Sequence, residues 1–272
     1  LLEMVRNAIE QVKRTLQHRY SNSAKVRNIA EFIKAKSKNW TGKVVSVSLD
    51  NTLLSPADFP QGLKELDVFV SRQLDNCLNM FEGGIRTTGS QTRYLLDADF
   101  KEEEIAASLK FWETAHPFNM LQQSGKGAQL SERVSVVISQ QSSDATFRGL
   151  TTTLGILVDG DADGVNVSLQ AAEVSRLIEQ AVKTGEKLTD INERYTKTLD
   201  QLNKLIGRLN AGELAGMDEA RIATIRQVFI GVSSQLCNQY GRVLNKACQL
   251  NDSYAAILAR AAAQMDKSAQ PV

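Results

Sequence analysis

Proline is almost absent from the second half of the chain. Only four prolines occur, and none lies between Pro117 and Pro271. Because proline breaks a helix by removing a backbone donor, this long tract permits long helices. The two histidines, His18 and His116, lie far from every cysteine in the sequence, and aromatic residues make up only 6% of the chain. Side chains that could stack on nucleic-acid bases are therefore few.

Cysteine is also scarce. Cys77, Cys237 and Cys248 show no metal-ligand spacing. On one helix the last two would lie about 16 Å apart, which is too far for a disulfide, so we expect reduced thiols of the intracellular kind. No apolar run reaches the roughly 18 residues that a membrane span needs, and no apolar signal core follows Leu1. We therefore expect no membrane contact, no cofactor and no secretion through a signal peptide.

The net charge is close to neutral, at +1, but the charges are unevenly distributed. Residues 1–43 contain ten Lys or Arg against three Glu, whereas residues 44–104 contain five Lys or Arg against eleven Asp or Glu. A basic N-terminal arm of this kind can contact phosphates. Alternatively, the basic and acidic segments are two solvated faces that neutralise one another.

Hydrophobic periodicity indicates how the first half of the chain is organised. Apolar residues at three- and four-residue steps predict two helices within the arm, the first ending near residues 19–20. Residues 44–49 are β-branched and alternate, which predicts a strand. Further helices are predicted over residues 63–81, where two glycines follow, and over residues 101–114.

Two more strands are predicted, over residues 133–140 and 150–158. An Asp-rich turn follows the second of them and leads into residues 165–169. Residues 154–169 therefore form a predicted β-hairpin with the Asp-rich turn at its tip.

The last hundred residues predict a long pair of helices. The helical pattern begins at Ser168, has a possible break at Gly185, turns at residues 212–216 and returns to the C-terminal region. Two such apolar stripes joined by a short loop bury each other when the helices lie antiparallel. Strict heptads are not evident, so we expect a helical hairpin that packs on the rest of the chain.

These elements predict an α+β fold that is predominantly α. We expect a basic helical arm over residues 1–43, an α+β body with the Asp-rich hairpin over residues 44–167, and a helical hairpin over residues 168–272. A small antiparallel sheet would belong to the body.

The Asp-rich turn is a candidate metal site. Asp159, Asp161 and Asp163 match the first three ligand positions of an EF-hand loop. The match then fails, because Asn166 and Gln170 stand where an apolar residue and a bidentate Glu are required. A metal here would be weakly bound and not of EF-hand type, and a turn rich in Asp and Gly needs no metal.

The basic arm is the candidate nucleic-acid contact. Binding through it would be non-specific and strongly dependent on salt. The candidate residues are Arg6, Lys13, Arg14, Lys34, Lys36 and Lys38.

No single motif indicates catalysis. The chain has no Gly-x-Ser-x-Gly, no P-loop and no dinucleotide fingerprint. A hydrolase would need a site assembled from scattered residues such as Asp50, His116 and Asp159. This enzyme hypothesis remains an alternative to a non-enzymatic interaction protein.

Several segments resemble the internal head proteins of giant tailed bacteriophages. They are residues 1–10, residues 40–45, residues 67–73 and the late helix pair. The resemblance implies a virion protein that is matured by proteolysis and packaged with or near DNA, and it implies no catalytic residues. Capsid or host proteins would then be partners, in the virion or the host cytoplasm. A further alternative is a modulator of a host enzyme that acts through the helical hairpin.

Overall fold

The N-terminal arm folds into two helices and a short turn. In the computed structural model, the described residues are 2–17, 20–49, 54, 59, 61–95, 128–130, 133–140, 152–159, 166–210 and 219–269. Helix α1 is Leu2–Gln17, helix α2 is Tyr20–Lys36, and a 3-10 turn covers Ser37–Trp40. Gly42 then adopts a left-handed conformation, at φ 74°, that a side chain would disfavour. The arm thereby turns directly into the first strand.

The next helical segment contains one wider turn. Helix α3 (Gln61–Val68) continues through a first π-helical segment (Phe69–Leu74) into α4 (Asp75–Leu95). The expected end at Gly83 and Gly84 is wrong. Phe81 and Ile85, on either side of the glycines, are buried in the core, and this packing outweighs the roughly 1 kcal/mol by which glycine disfavours a helix.

The second half of the chain forms two very long helical segments. Helix α5 (Ala171–Asn210) has 40 residues, which is about 60 Å at the helical rise. It begins three residues later than predicted and runs through Gly185 without a break. The return consists of α6 (Glu219–Ser234), a second π-helical segment (Gln235–Tyr240) and α7 (Gly241–Lys267). No helix in the described ranges is long and apolar enough to cross a membrane.

The strands in the described ranges form two separate antiparallel sheets, and the predicted hairpin over residues 154–169 is wrong. Strand β1 (Val44–Ser48) pairs with β5 (Asn166–Gln170), whereas β2 (Ala128–Gln129), β3 (Val134–Gln140) and β4 (Thr152–Val158) form the second sheet. Pairing with β1 is favoured because it places Val167 opposite Val47, and both side chains are buried. The strands on either side of the Asp-rich turn therefore belong to different sheets.

The predicted antiparallel helical hairpin is confirmed. The Tyr195 ring lies 5.3 Å from the Tyr240 ring, and Asn251 donates a hydrogen bond to the carbonyl of Ala181, at 3.1 Å. Later residues of α5 therefore contact earlier residues of the return helix, which is the antiparallel arrangement. Near the turn of the hairpin, α1 packs against both α5 and α6. The predominantly helical α+β fold class is confirmed as well.

A seven-residue repeat governs which side chains of α5 are buried, contrary to the expectation that no strict heptad persists. Three of every seven positions are buried along the helix, as in a helix that packs on several neighbours. The polar or small residues Thr184, Gly185, Asn192 and Thr198 occupy some of these positions, so the sequence alone conceals the repeat. One of the three series is Val174, Ala181, Leu188, Tyr195 and Leu202.

The return helix keeps the same repeat but changes phase once. Ile225 and Val232 are buried seven residues apart, and Tyr240, Ala247, Tyr254 and Ala261 continue the series. The step from Val232 to Tyr240 is eight residues, and the extra residue falls in the second π-helical segment. A π-helical turn accommodates one inserted residue in an α-helix. The π-helical turn thus absorbs the extra residue and keeps both halves of the helix facing the core.

The first π-helical segment makes the same correction in the α3–α4 helix. Leu66 is buried, the next member of its series is Leu74 rather than residue 73, and Phe81 follows seven residues later. Both long partners of α5 therefore carry one inserted residue each.

Two tyrosine hydroxyls bind backbone carbonyls in these segments. The Tyr240 hydroxyl donates to the Leu74 carbonyl at 3.2 Å, and the Tyr195 hydroxyl donates to the Leu236 carbonyl at 2.9 Å. Both tyrosines are fully buried, and the Tyr240 ring also meets Phe81 edge-on at 6.1 Å. A buried hydroxyl without a partner is costly, so these bonds fix the two segments against each other and against α5.

Gly241 makes the Tyr195 contact sterically possible. A β-carbon at this position would lie 2.7 Å from the Tyr195 hydroxyl oxygen. We predict that Gly241→Ala displaces Tyr195 and lowers the free energy of unfolding by about 1–3 kcal/mol, because the core must shift and a buried hydroxyl loses its acceptor. Urea unfolding followed by circular dichroism measures this change.

The matched control is Gly83→Ala in α4, where an added β-carbon meets no atom within 4 Å. This variant should gain roughly 0.5–1 kcal/mol from helix propensity. Equal stabilisation by both substitutions would contradict the role assigned to Gly241.

Candidate nucleic-acid interface

Of the arm's nine basic side chains that the structure describes, four anchor it to the long helices. Lys13 binds Asp200 of α5 at 2.6 Å, Arg27 binds Glu186 of α5 at 3.3 Å, and Lys36 lies 3.7 Å from Asp266 of α7. The hydrogen bond with Asp200 raises the pKa of Lys13. These contacts hold both arm helices at fixed positions on the hairpin.

Lys43, which opens β1, adds a fourth anchor. Its ammonium group donates to the Ser268 hydroxyl at 3.1 Å and to the Met265 carbonyl at 3.4 Å, at the end of α7. Its backbone carbonyl accepts the Ala171 N–H at the start of α5. Lys43 thus joins the arm both to the start of α5 and to the end of α7.

The other basic side chains of the arm face solvent. Arg6, Arg14, Lys34 and Lys38 are all exposed, and so is Lys25. None of the five forms an ion pair with another residue in the described ranges. Of the six predicted contact residues, four are therefore available to an external anion, whereas Lys13 and Lys36 are engaged within the chain.

Of the four carboxylates of the acidic segment that the structure describes, three bind cations of α5 and none binds the arm. Arg194 binds Glu82 through two hydrogen bonds of 3.1 and 2.9 Å, Asp75 at 2.6 Å, and the side chain of Asn79. The hydrogen bond with Glu82 is the main reason that the pKa of Arg194 is raised. Lys187, one heptad earlier, binds Asp67 at 2.8 Å. The arm's exposed cations are not paired with these carboxylates.

Neither Arg194 nor Lys187 was among the predicted functional residues. Each stands one position before a buried residue of the α5 repeat, Tyr195 and Leu188. Charges at such flanking positions face the neighbouring helix, so the heptad, once recognised, would have identified them.

A cavity of about 460 Å³ lies beside the exposed arm cations, where α5 begins. Lys38 and Lys43 line it, with hydroxyl groups from Ser37, Thr41 and Ser175. The positive end of a helix dipole points to the same place. The cavity is therefore electropositive and continuous with the arm surface.

The candidate metal site is only partly described. Asp159 is exposed at the end of β4, and its carbonyl accepts a hydrogen bond from the Arg133 guanidinium at 2.7 Å. Asp161 and Asp163 lie outside the described residues, so the metal hypothesis stays a prediction. Within the described ranges no group of three or more His, Cys, Asp or Glu could hold a metal ion.

Asp50 and His116, two of the three residues proposed for an assembled hydrolase site, lie outside the described residues. The hydrolase hypothesis therefore stays a prediction. The buried nucleophiles elsewhere are held in their protonated forms. Burial raises the pKa of the Cys237 thiol to about 12 and that of the Cys77 thiol well above its usual range. Thiolate chemistry at neutral pH is therefore suppressed at both cysteines.

In its described residues the helical hairpin presents no stripe of exposed large apolar side chains. The large apolar side chains that are exposed in the described ranges lie elsewhere, and Val137 and Leu157 of the second sheet are two of them, at 38% and 51%. The hairpin's own stripes are covered by α1, α2, α3 and α4. The modulator hypothesis stays a prediction.

No family model, no curated protein and no solved structure matches the chain.

The burial of the two thiols generates a prediction. In a Cys248→Ser variant, which retains Cys77 and Cys237 alone, we expect no reaction with Ellman's reagent at about pH 8, where groups of such raised pKa stay protonated. Both thiols should react once guanidinium unfolds the protein. Rapid reaction of either thiol in the folded protein would show that the core is open around the tyrosines.

Proposed function

We propose that the chain is a non-enzymatic structural protein that contacts DNA through the exposed cations of its N-terminal arm. The observation that carries the proposal is the division of the arm's basic side chains into two groups. Lys13 and Lys36 are held by carboxylates of the long helices, whereas Arg14, Lys34 and Lys38 remain exposed and without an ion pair in the described part of the chain.

The anchored side chains favour binding by the exposed ones, because they hold the arm helices in place. Because ion pairs fix both arm helices on the hairpin, the exposed cations occupy defined places, and less ordering is needed when a partner binds. Double-stranded DNA presents a negative charge about every 1.7 Å along its axis, so a rigid cationic surface can bind it without reading its sequence. The electropositive cavity at the start of α5 extends the same surface.

An internal head protein of a giant tailed bacteriophage would use such a surface. The proposal therefore includes packaging with or near DNA, proteolytic maturation, and location in the virion or the host cytoplasm. Capsid proteins or host proteins would be its protein partners. The ion pairs of Lys187 and Arg194 and the two buried tyrosines favour a structural role, because they hold the long helices together at several independent places.

The proposal predicts which charges matter for DNA. A triple variant with Arg14, Lys34 and Lys38 changed to Gln should bind a labelled duplex at least about tenfold more weakly at roughly 50 mM salt, and the slope of log affinity against log salt should fall by about 2–3. Fluorescence anisotropy across a salt series measures both quantities.

A matched control removes the same charge from another helix. Lys64, Arg72 and Arg86 are exposed on the α3–α4 helix, and changing all three to Gln should alter affinity by less than about threefold. Equal losses in the two triple variants would mean that only net charge matters. Absence of binding by the unmodified protein at low salt would refute the proposed function.

A further inference from the structure

Phe32 of α2 is the one aromatic residue among the large apolar side chains that are exposed in the described part of the chain, with 41% of its surface open to solvent. Its ring lies 6.4 Å from the ring of Trp40, at an interplanar angle of 53°, and Trp40 is fully buried. Single exposed apolar residues are common on proteins. Here, however, the buried Trp40 ring supports the exposed ring from the core side and leaves the rest of its surface open.

Polar and basic side chains lie on the same side of α2 as Phe32. Lys25 stands seven residues before Phe32, Asn28 four residues before it and Lys36 four residues after it, and these spacings place all four on one face of the helix. Lys25 is exposed and has no ion pair with another residue in the described ranges. Lys36 binds Asp266 at 3.7 Å but keeps 45% of its side chain exposed. We call these four residues the Phe32 face.

The single carboxylate of α2 lies elsewhere on the helix. Glu31 lines a second cavity with Ile178 and Val182 of α5, on another side of α2. The Phe32 face therefore has a cation toward each end and one exposed ring between them. Proteins bind single-stranded nucleic acids with this combination, because cations follow the phosphates and aromatic rings stack on the bases.

We propose that Phe32 stacks on an unpaired base, so that the arm binds single-stranded DNA through a base as well as through phosphates. This inference rests on the proposed function and names the form of DNA that the Phe32 face binds. In a duplex the faces of the bases are covered by neighbouring bases, whereas in a single strand they are open to an aromatic side chain. Stacking of this kind accepts any base, because every base has a π-face. Lys25 and Lys36 neutralise phosphates on either side of the stacked base.

The test compares two substitutions of Phe32 on two forms of DNA. Phe32→Leu keeps an apolar side chain but removes the aromatic face, whereas Phe32→Tyr keeps that face. Fluorescence anisotropy measures binding of a labelled oligothymidylate of about 16 nucleotides and of a duplex of the same length. Phe32→Leu should bind the single strand about tenfold more weakly and the duplex less than about twofold more weakly, with an unchanged salt dependence because no charge is removed. Phe32→Tyr should bind the single strand as the unmodified protein does.

Three results would overturn the inference. Equal weakening on both forms of DNA in Phe32→Leu would show that Phe32 shapes the arm and does not stack on a base. Unchanged single-strand binding in Phe32→Leu would show that the ring does not contact DNA, and equal losses in the Leu and Tyr variants would exclude stacking.

These results are distinguishable from failure of the proposed function. That function still stands if the triple variant of Arg14, Lys34 and Lys38 binds duplex more weakly while Phe32→Leu changes nothing. Failure of the unmodified protein to bind either form of DNA at low salt would overturn both.

Discussion

The hydrogen bond from Tyr240 to the Leu74 carbonyl joins the two places where the helices depart from their seven-residue repeat. Helix α5 keeps that repeat without interruption and packs against most of the other helices. Each of its two long partners carries one extra residue, and a π-helical turn absorbs that residue so that both halves of the partner keep facing the core. The Tyr195 hydroxyl binds the second insertion from the α5 side, and Gly241 leaves it the space to do so.

The charges are arranged around the same helix. Lys187 and Arg194 of α5 clamp the α3–α4 helix on both sides of its inserted residue, since they bind Asp67 before it and Asp75 after it. On another side, Asp200 and Glu186 of α5 hold the two arm helices. These ion pairs thus fix the neighbouring helices on α5. The exposed cations of the arm are left outside this internal pairing, and it is for this reason that they support a role in binding DNA.

The sequence predicted the fold class, the strand over residues 44–49, the strand over 133–140 and the antiparallel pairing of the long helices, because all of these follow from local periodicity. It failed where contacts between distant residues decide where a helix ends or which strands pair. Gly83 and Gly84 look like a helix end, but Phe81 and Ile85 bury their segment. The strands around Asp159 look like a hairpin, but each has a better partner elsewhere.

The candidate site shows the same limit. Composition identified the arm as basic, and exposure separated Arg14, Lys34 and Lys38 from Lys13 and Lys36 only once their helices had been placed on α5. The heptad of α5 was hidden because Thr184, Asn192 and Thr198 fill buried positions. Without that repeat the one-residue insertions could not be recognised.

Deleting single residues tests the central claim that a π-helical turn absorbs an extra residue in an otherwise continuous seven-residue repeat. Asn238 is an exposed residue of the second π-helical segment, and Lys197 is an exposed residue of α5. Removing Asn238 takes out the inserted residue and leaves both flanking repeats in register, so the protein should still unfold cooperatively in urea. Removing Lys197 rotates the rest of α5 by about 100° and turns its apolar residues out of the core, so cooperative unfolding should be lost. Loss of cooperativity in the Asn238 deletion, or its retention in the Lys197 deletion, would contradict the account.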